Sequence, residues 1–275
     1  MNRIKIILGY ILGIITSILI SSLVVILILK FTIFKKEYVK SVLVKNNYYS
    51  EVYENTLIEM KDYMTSSGLE EEVLDNLFSQ ESVKNDINKY IDELYKGNLY
   101  FPDIESMKEK LSQNIDTYLK NNNIDVTNRN ELKLFINDIT NIYNKEIRLY
   151  NIPNKLINPF NKVSNIIDKV ILILSIITIV FSVILILFKT KYFGSVIMSS
   201  GLILLFIRFE IFEKIDIKNI ILITEYFSKV LINILLDLVK LILYGSIILI
   251  VIGLILCFIE SMEKKKKRSE ENGRN

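Results

Sequence analysis

Arg208 and Glu210 stand two residues apart inside an otherwise apolar run, and Glu225 and Lys229 stand four apart in a later one. A charge near the centre of a bilayer costs roughly 3 kcal/mol or more unless it is paired, so residues of this kind are the usual sign of an ion or proton path. Two readings follow. Spacing of four puts Glu225 and Lys229 on one helix face in the favourable order. Arg208 and Glu210 lie near the end of their run, where long side chains reach the interface, the alternative being a functional pair in a hydrated cavity. Carboxylate chemistry through Glu210, Glu225 and Asp237 has no spacing that converges on a reacting atom.

The chain of 275 residues contains no histidine, which removes the usual neutral-pH general base, the commonest metal ligand and every Ser-His or Cys-His nucleophile. A single cysteine, Cys257, supplies neither an internal disulfide nor a thiolate zinc site. Glu70, Glu71, Glu72 and Asp75 could serve a hard cation, but no loop of calcium-binding spacing surrounds them, and acidic groups suit the first turn of a helix. Tyr48, Tyr49, Tyr53, Tyr63, Tyr90, Tyr95 and Tyr100 could form a recognition surface, core packing being the ordinary alternative. The expectation is a protein that is not an enzyme and holds no cofactor or metal. Its net charge of +3 is too small to imply nucleic acid.

These residues must be positioned by four apolar blocks, 6–29, 166–188, 193–211 and 241–259. Each reaches or approaches the roughly 20 residues a helix needs to cross about 30 Å of hydrocarbon. The first is longer than a secretory apolar region and lacks a small-residue cleavage site, so it reads as an uncleaved anchor. Basic residues favour the cytoplasmic side. Arg3 and Lys5 precede the first block, Lys189 and Lys191 lie between the second and third, and Lys264, Lys265, Lys266, Lys267 and Arg268 follow the fourth. With four spans all three clusters share one side; Lys30, Lys35, Lys36 and Lys40, just past the first span, pull the other way. The last cluster reads as a topological stop, the alternative being a site of attraction to anionic head groups.

Between residues 36 and 150 apolar positions recur at three and four, the period of a helix face. Nothing from Thr32 to Met64 breaks a helix, which predicts a stalk continuing the first span. Ser67 and Glu70 have capping-box spacing and predict a second helix, with a third over about 82–96 stopped by Gly97. A loop over 97–102 precedes a fourth helix from Asp103, which fades into Asn121, Asn122 and Asn123. Asn128 and Glu131 repeat the capping spacing for a fifth, and Pro153 and Pro159 mark an irregular re-entry. Five amphipathic helices imply a helical bundle.

Gly9, Gly13, Ser17 and Ser21 recur every four residues along the first block and let another helix approach closely. The approaching helix belongs either to a second copy or partner, or to the other spans of this chain. Segment 217–240 is apolar yet holds Glu225, Lys229, Asp237 and Lys240. A crossing here would throw the basic tail outside, so an amphipathic interfacial helix is preferred to a re-entrant or fifth span.

The expected architecture is an all-α membrane protein, four transmembrane helices with an extracytoplasmic helical bundle inserted between the first and second. It divides into a cytoplasmic N-terminus and first span over 1–34, an extracytoplasmic domain over 35–165, spans over 166–188 and 193–211, an interfacial helix over 212–240, a fourth span over 241–260 and a basic cytoplasmic tail over 261–275. Both termini are cytoplasmic and the location is the cell membrane. The expected partners are the lipid bilayer, a protein or ligand at the extracytoplasmic domain and a second copy through the first span. The alternative role is a permease-like subunit of a transport complex driven by a separate ATPase.

Overall fold

In the computed structural model, residues 3–65, 67–125, 129–148, 154–187, 193–214 and 224–272 are described. Among them there are nine α-helices, one short 3-10 turn and no strand. The chain divides into two compact units.

The first unit takes residues 1–35, 164–220 and 232–275. Its helices are α1 (Arg3–Phe31), the apolar part of α7 (Asn154–Leu187), α8 (Phe193–Lys214) and most of α9 (Glu225–Asn272). Each holds a stretch long and apolar enough to cross a membrane: Ile7–Phe31, Lys162–Leu187, Phe193–Ile211 and Glu225–Lys265. Apolar side chains such as Ile179, Leu187, Phe206 and Phe258 are more than half exposed. In water such a surface would be a liability; lipid tails are its natural cover.

Helices here approach through small residues, because lipid offers no hydrophobic drive and close backbone contact must supply the attraction. A Cβ on Gly253 would lie 2.5 Å from the Met198 amide nitrogen, and one on Gly201 would lie 2.7 Å from the Ser246 carbonyl oxygen, so α8 and α9 touch backbone to backbone. A Cβ on Gly245 would meet Val24 at 3.2 Å and Leu204 at 3.9 Å, which brings α1, α8 and α9 together. The Glu260 carboxylate accepts the Gly194 N–H at 3.1 Å, an anion at the positive start of α8. Lys30 on α1 pairs with Asp168 on α7.

The second unit takes residues 36–163 and 221–231. It contains α2 (Lys36–Lys45), α3 (Tyr48–Thr65), the 3-10 turn Glu71–Leu74, α4 (Gln80–Lys96), α5 (Glu105–Asn121) and α6 (Arg129–Ile147). Each long helix buries one stripe: Val52, Thr56, Met60 and Met64 on α3; Val83, Ile87, Tyr90 and Ile91 on α4; Met107, Leu111, Ile115 and Leu119 on α5; Ile136, Ile139, Tyr143 and Ile147 on α6. The 3.6-residue period that predicts these stripes also orients them toward a common core.

Several boundaries differ from expectation. The stalk does not continue α1: the chain turns at 32–35, where Thr32 folds its hydroxyl onto the Ile28 carbonyl at 2.6 Å and Phe34 N–H reaches the Leu29 carbonyl at 3.1 Å. It turns again at Asn47, which adopts φ 53°, a left-handed conformation asparagine tolerates. Ser67 and Glu70 do not form a capping box. The Ser67 hydroxyl bonds back to Met64 at 2.7 Å, and only the 3-10 turn follows. The capping box is at Ser79 and Ser82, each hydroxyl accepting the other's backbone N–H. Gly97 ends α4 at φ 83°, and Asn123, at φ 52°, follows the end of α5. Asn128 and Pro153 lie outside the described residues, and Pro159 falls in the opening turns of α7. The segment from Glu225 and the last apolar block form one helix, α9, of 48 residues, about 72 Å at 1.5 Å per residue.

Candidate functional site

Two open cavities meet at the start of α4 in the second unit. One, of about 950 Å³, is lined by Tyr49, Glu51, Glu54, Ser79, Glu81 and Lys84 among others. The other, of about 550 Å³, is lined by Ser79, Ser82, Asp86, Asp103, Lys110 and Tyr143 among others. The Ser79 cap opens α4 between them and sets Glu81 and Lys84 on one side and Ser82 and Asp86 on the other.

Asp86 is the best-held group. Its two carboxylate oxygens accept the Tyr100 hydroxyl at 2.8 Å and the Tyr143 hydroxyl at 2.7 Å. Tyr143 is buried, its ring edge-on to Phe78 at 5.1 Å, and Phe78 in turn meets Tyr53 at 5.5 Å. Burial first, then the bond to Asp86, pushes both phenols well above the ordinary tyrosine range, so they stay protonated donors at neutral pH. Tyr49, which donates to Asn88 at 2.9 Å, is pushed up to about 12 by burial against the opposing effect of that bond. Lys110 donates to the Asn76 carbonyl, and Asn114 donates to the Val73 carbonyl at 2.9 Å, tying α5 to the turn below the smaller cavity. The lining charges are three carboxylates with one ammonium in the larger cavity and two with one in the smaller. Such walls offer acceptors that suit cationic or hydroxyl-bearing groups, the lining phenols Tyr49 and Tyr143 already donating to Asn88 and Asp86.

Sequence reasoning did not single out Asp86, Asp103, Lys84 or Lys110. Their signal lies in the fold: Asp86 meets Tyr143 across 57 positions of sequence. Of the tyrosines marked as a recognition surface, Tyr48, Tyr49 and Tyr90 are buried core residues, while Tyr63 is exposed and donates to Asp138 at 2.7 Å. In the acidic run, Glu71 pairs with Lys61 at 2.6 Å, and among the described residues no three His, Cys, Asp or Glu side chains converge as for a metal.

The row on α1 faces α8 of the same chain. Ser17 donates to the Val196 carbonyl at 2.9 Å and Ser21 to the Ser200 carbonyl at 2.9 Å. A Cβ on Gly13 would meet Val196 at 3.2 Å, and Gly9 lines a cavity of about 330 Å³ with Ser195 and Ser199. Arg208 lies with its guanidinium 5.2 Å from the Phe209 ring, and Glu210 is on the same helix in the first unit. Glu225 and Lys229 form their predicted pair at 3.3 Å in the second unit, where Lys229 also comes within 4.0 Å of Glu51. Tyr226, one residue on from Glu225, donates its hydroxyl to the buried Glu146 and sets its ring against Tyr48 at 5.6 Å. Lys264 and Lys265 are exposed near the end of α9; the side chains of Lys266, Lys267 and Arg268, and residues Lys189 and Lys191, lie outside the described residues. Cys257 packs at the α8 contact, its sulfur 2.8 Å from where a Gly194 Cβ would stand. Comparison of the chain with protein families, with characterised proteins and with solved structures gives no match.

Proposed function

We propose a multi-pass cell-membrane protein with both termini in the cytoplasm, whose second unit stands outside the membrane and binds a protein partner or ligand. The spans anchor that unit or relay the binding event, and no catalysis is assigned to it. The observation that carries this reading is the membership of residues 221–231 in the same unit as 36–163. The chain leaves α1 for the second unit, leaves that unit for α7, and contributes to it again between α8 and the bulk of α9. Four single crossings with one body on one side satisfy all three connections. The termini and the 188–192 turn then share the other side, together with Arg3, Lys5, Lys189, Lys191 and the basic cluster 264–268, as the positive-inside tendency favours.

Three lysines that pull against this orientation have acidic partners: Lys30 has Asp168, and Lys36 and Lys40 share Asp92 at 2.7 and 2.9 Å. Binding is supported by cavity walls rich in acceptors. The chemistry favours a partner that presents amines, guanidinium groups or hydroxyls. A relay is available in α9, whose Tyr226 sits in the core of the second unit and whose later turns form the fourth apolar block.

A photo-crosslinking residue placed at Lys84, in the larger cavity, and as a control at Lys133 on α6 tests this in the full chain in intact cells. Discrete adducts from position 84, weakened by Glu51→Gln with Glu54→Gln, are expected. Equal adducts from both positions, or none from either, contradict the binding role.

A further inference from the structure

Glu51 takes part in two arrangements of the second unit. It lines the larger cavity together with Glu54, Glu81 and Lys84, and its carboxylate lies 4.0 Å from the Lys229 ammonium on α9. The opening of α9 holds Lys229 in that place. Tyr226 is buried, donates to Glu146 and sets its ring against Tyr48, which lies one turn before Glu51 on α3. Ser228 and Val230 are buried on either side of Lys229, and the Ser228 hydroxyl returns to the Thr224 carbonyl at 2.7 Å. Residues three apart on a helix share a face, so Tyr226 seated on Tyr48 brings Lys229 beside Glu51.

The wall that Lys229 touches is acidic. Its lining carries three carboxylates and one ammonium, and Glu54 and Glu81 are exposed. An ammonium of the chain itself is therefore seated on a carboxylate of the cavity, which shows the chemistry that this wall accepts. The contact is loose. Both side chains are near half-exposed, at 50% and 41%, and Lys229 has a closer partner in Glu225 of its own helix at 3.3 Å. Exposed pairs of this kind contribute little to stability, so a second cation can take Glu51 against little resistance.

We infer that Lys229 competes with the ligand of the larger cavity: a primary ammonium group entering the cavity takes Glu51, and Lys229 falls back on Glu225. This rests on the binding role proposed above. With Glu51 engaged, Glu54 and Glu81 remain for a second cationic group, so the ligand is a polyamine or a lysine-bearing segment of a protein, two sources of one chemistry. Coupling between two binding events is reciprocal, so the degree to which Lys229 weakens the ligand equals the degree to which the ligand loosens Lys229. The turn that responds is the first of α9, the helix that continues into the last apolar block.

Calorimetric titration of the full chain in detergent at low salt, with spermidine and separately with amidated trilysine, tests this. The unchanged chain is compared with K229M, E51Q and the double variant, all at part-exposed positions. K229M is expected to bind about two- to fivefold tighter than the unchanged chain, the range open to an exposed ion pair. E51Q is expected to bind more weakly, and adding K229M to it to change nothing, because the contact under competition is already gone. Hydrogen exchange at 225–231 of the unchanged chain should rise on binding. Binding of trilysine without spermidine supports a protein source, and of spermidine without trilysine a free polyamine. Equal affinity of K229M and the unchanged chain, or an equal gain from K229M in the E51Q background, overturns the competition and leaves the binding role standing. Failure of both probes to bind any of the four chains overturns the competition and the ammonium-binding role together.

Discussion

At the scale of single residues, Asp86 organises the smaller cavity because two phenols spend their protons on it. Tyr143→Phe removes one of those bonds with no change of shape and should destabilise the second unit by about 1 kcal/mol, whereas Asp86→Leu strands a buried hydroxyl and should cost about 1–3 kcal/mol. Chemical unfolding of the full chain followed by near-ultraviolet circular dichroism gives the order. The same tyrosines set an alkaline limit. Tyr49, Tyr95, Tyr100 and Tyr143 are all raised by burial first, so these four phenols are protonated in both folded and unfolded states below about pH 10, and above it those of the unfolded chain ionise first. Stability should fall as pH rises from about 10, and tyrosinate absorbance should emerge together with unfolding; ionisation of all tyrosines in the folded state would contradict this. At the acid end, burial pushes Asp92 up, but the ammonium groups of Lys36 and Lys40 outweigh it and leave its carboxyl below the usual range. Its contribution is present above the ordinary carboxylate value and lost below about pH 4, and Asp92→Asn should flatten that loss. Little of this was legible in sequence, because Asp86 on α4, Tyr143 on α6 and Tyr100 in the loop after α4 meet only once the bundle packs.

At the scale of elements, the helical period was readable and the punctuation only partly so. Gly97 announced the end of α4 because glycine alone enters left-handed backbone freely. The breaks at Asn47 and after α5 use asparagine, which is common in this chain and gives a weaker signal. The true capping box at Ser79 and Ser82 has serine where the usual pattern has Glu or Gln, and the pattern at Ser67 and Glu70 lacked the helix to use it. On α6 the buried stripe is Ile136, Ile139, Tyr143 and Ile147, while Leu132, Phe135 and Ile142 are half-buried. The small-residue row on α1 was legible; its partner helix was not. Gly253→Ala puts a methyl 2.5 Å from a backbone nitrogen of α8, and such overpacking costs about 1–3 kcal/mol. Gly13→Ala meets only the tip of Val196 at 3.2 Å and should cost clearly less. Thermal unfolding of both variants in one detergent measures the difference, and equal losses would contradict the assigned α8–α9 contact.

At the scale of the whole molecule, the apolar blocks and the long polar insertion were legible from hydropathy alone, since span length is fixed by bilayer thickness. Hydropathy could not divide 217–240, where charge and apolar residues compete. From Glu225 on, this segment is the opening of α9, which continues without a break into the last apolar block. The proposed sidedness follows from the membership of residues 221–231 in the second unit. Its most direct test is maleimide labelling of full-length K120C and E270C in a Cys257-free background. Lys120 is exposed on α5, and residue 270 follows the basic cluster. The account predicts that a membrane-impermeant reagent labels K120C in intact cells and E270C only after permeabilisation; labelling of E270C in intact cells would contradict it.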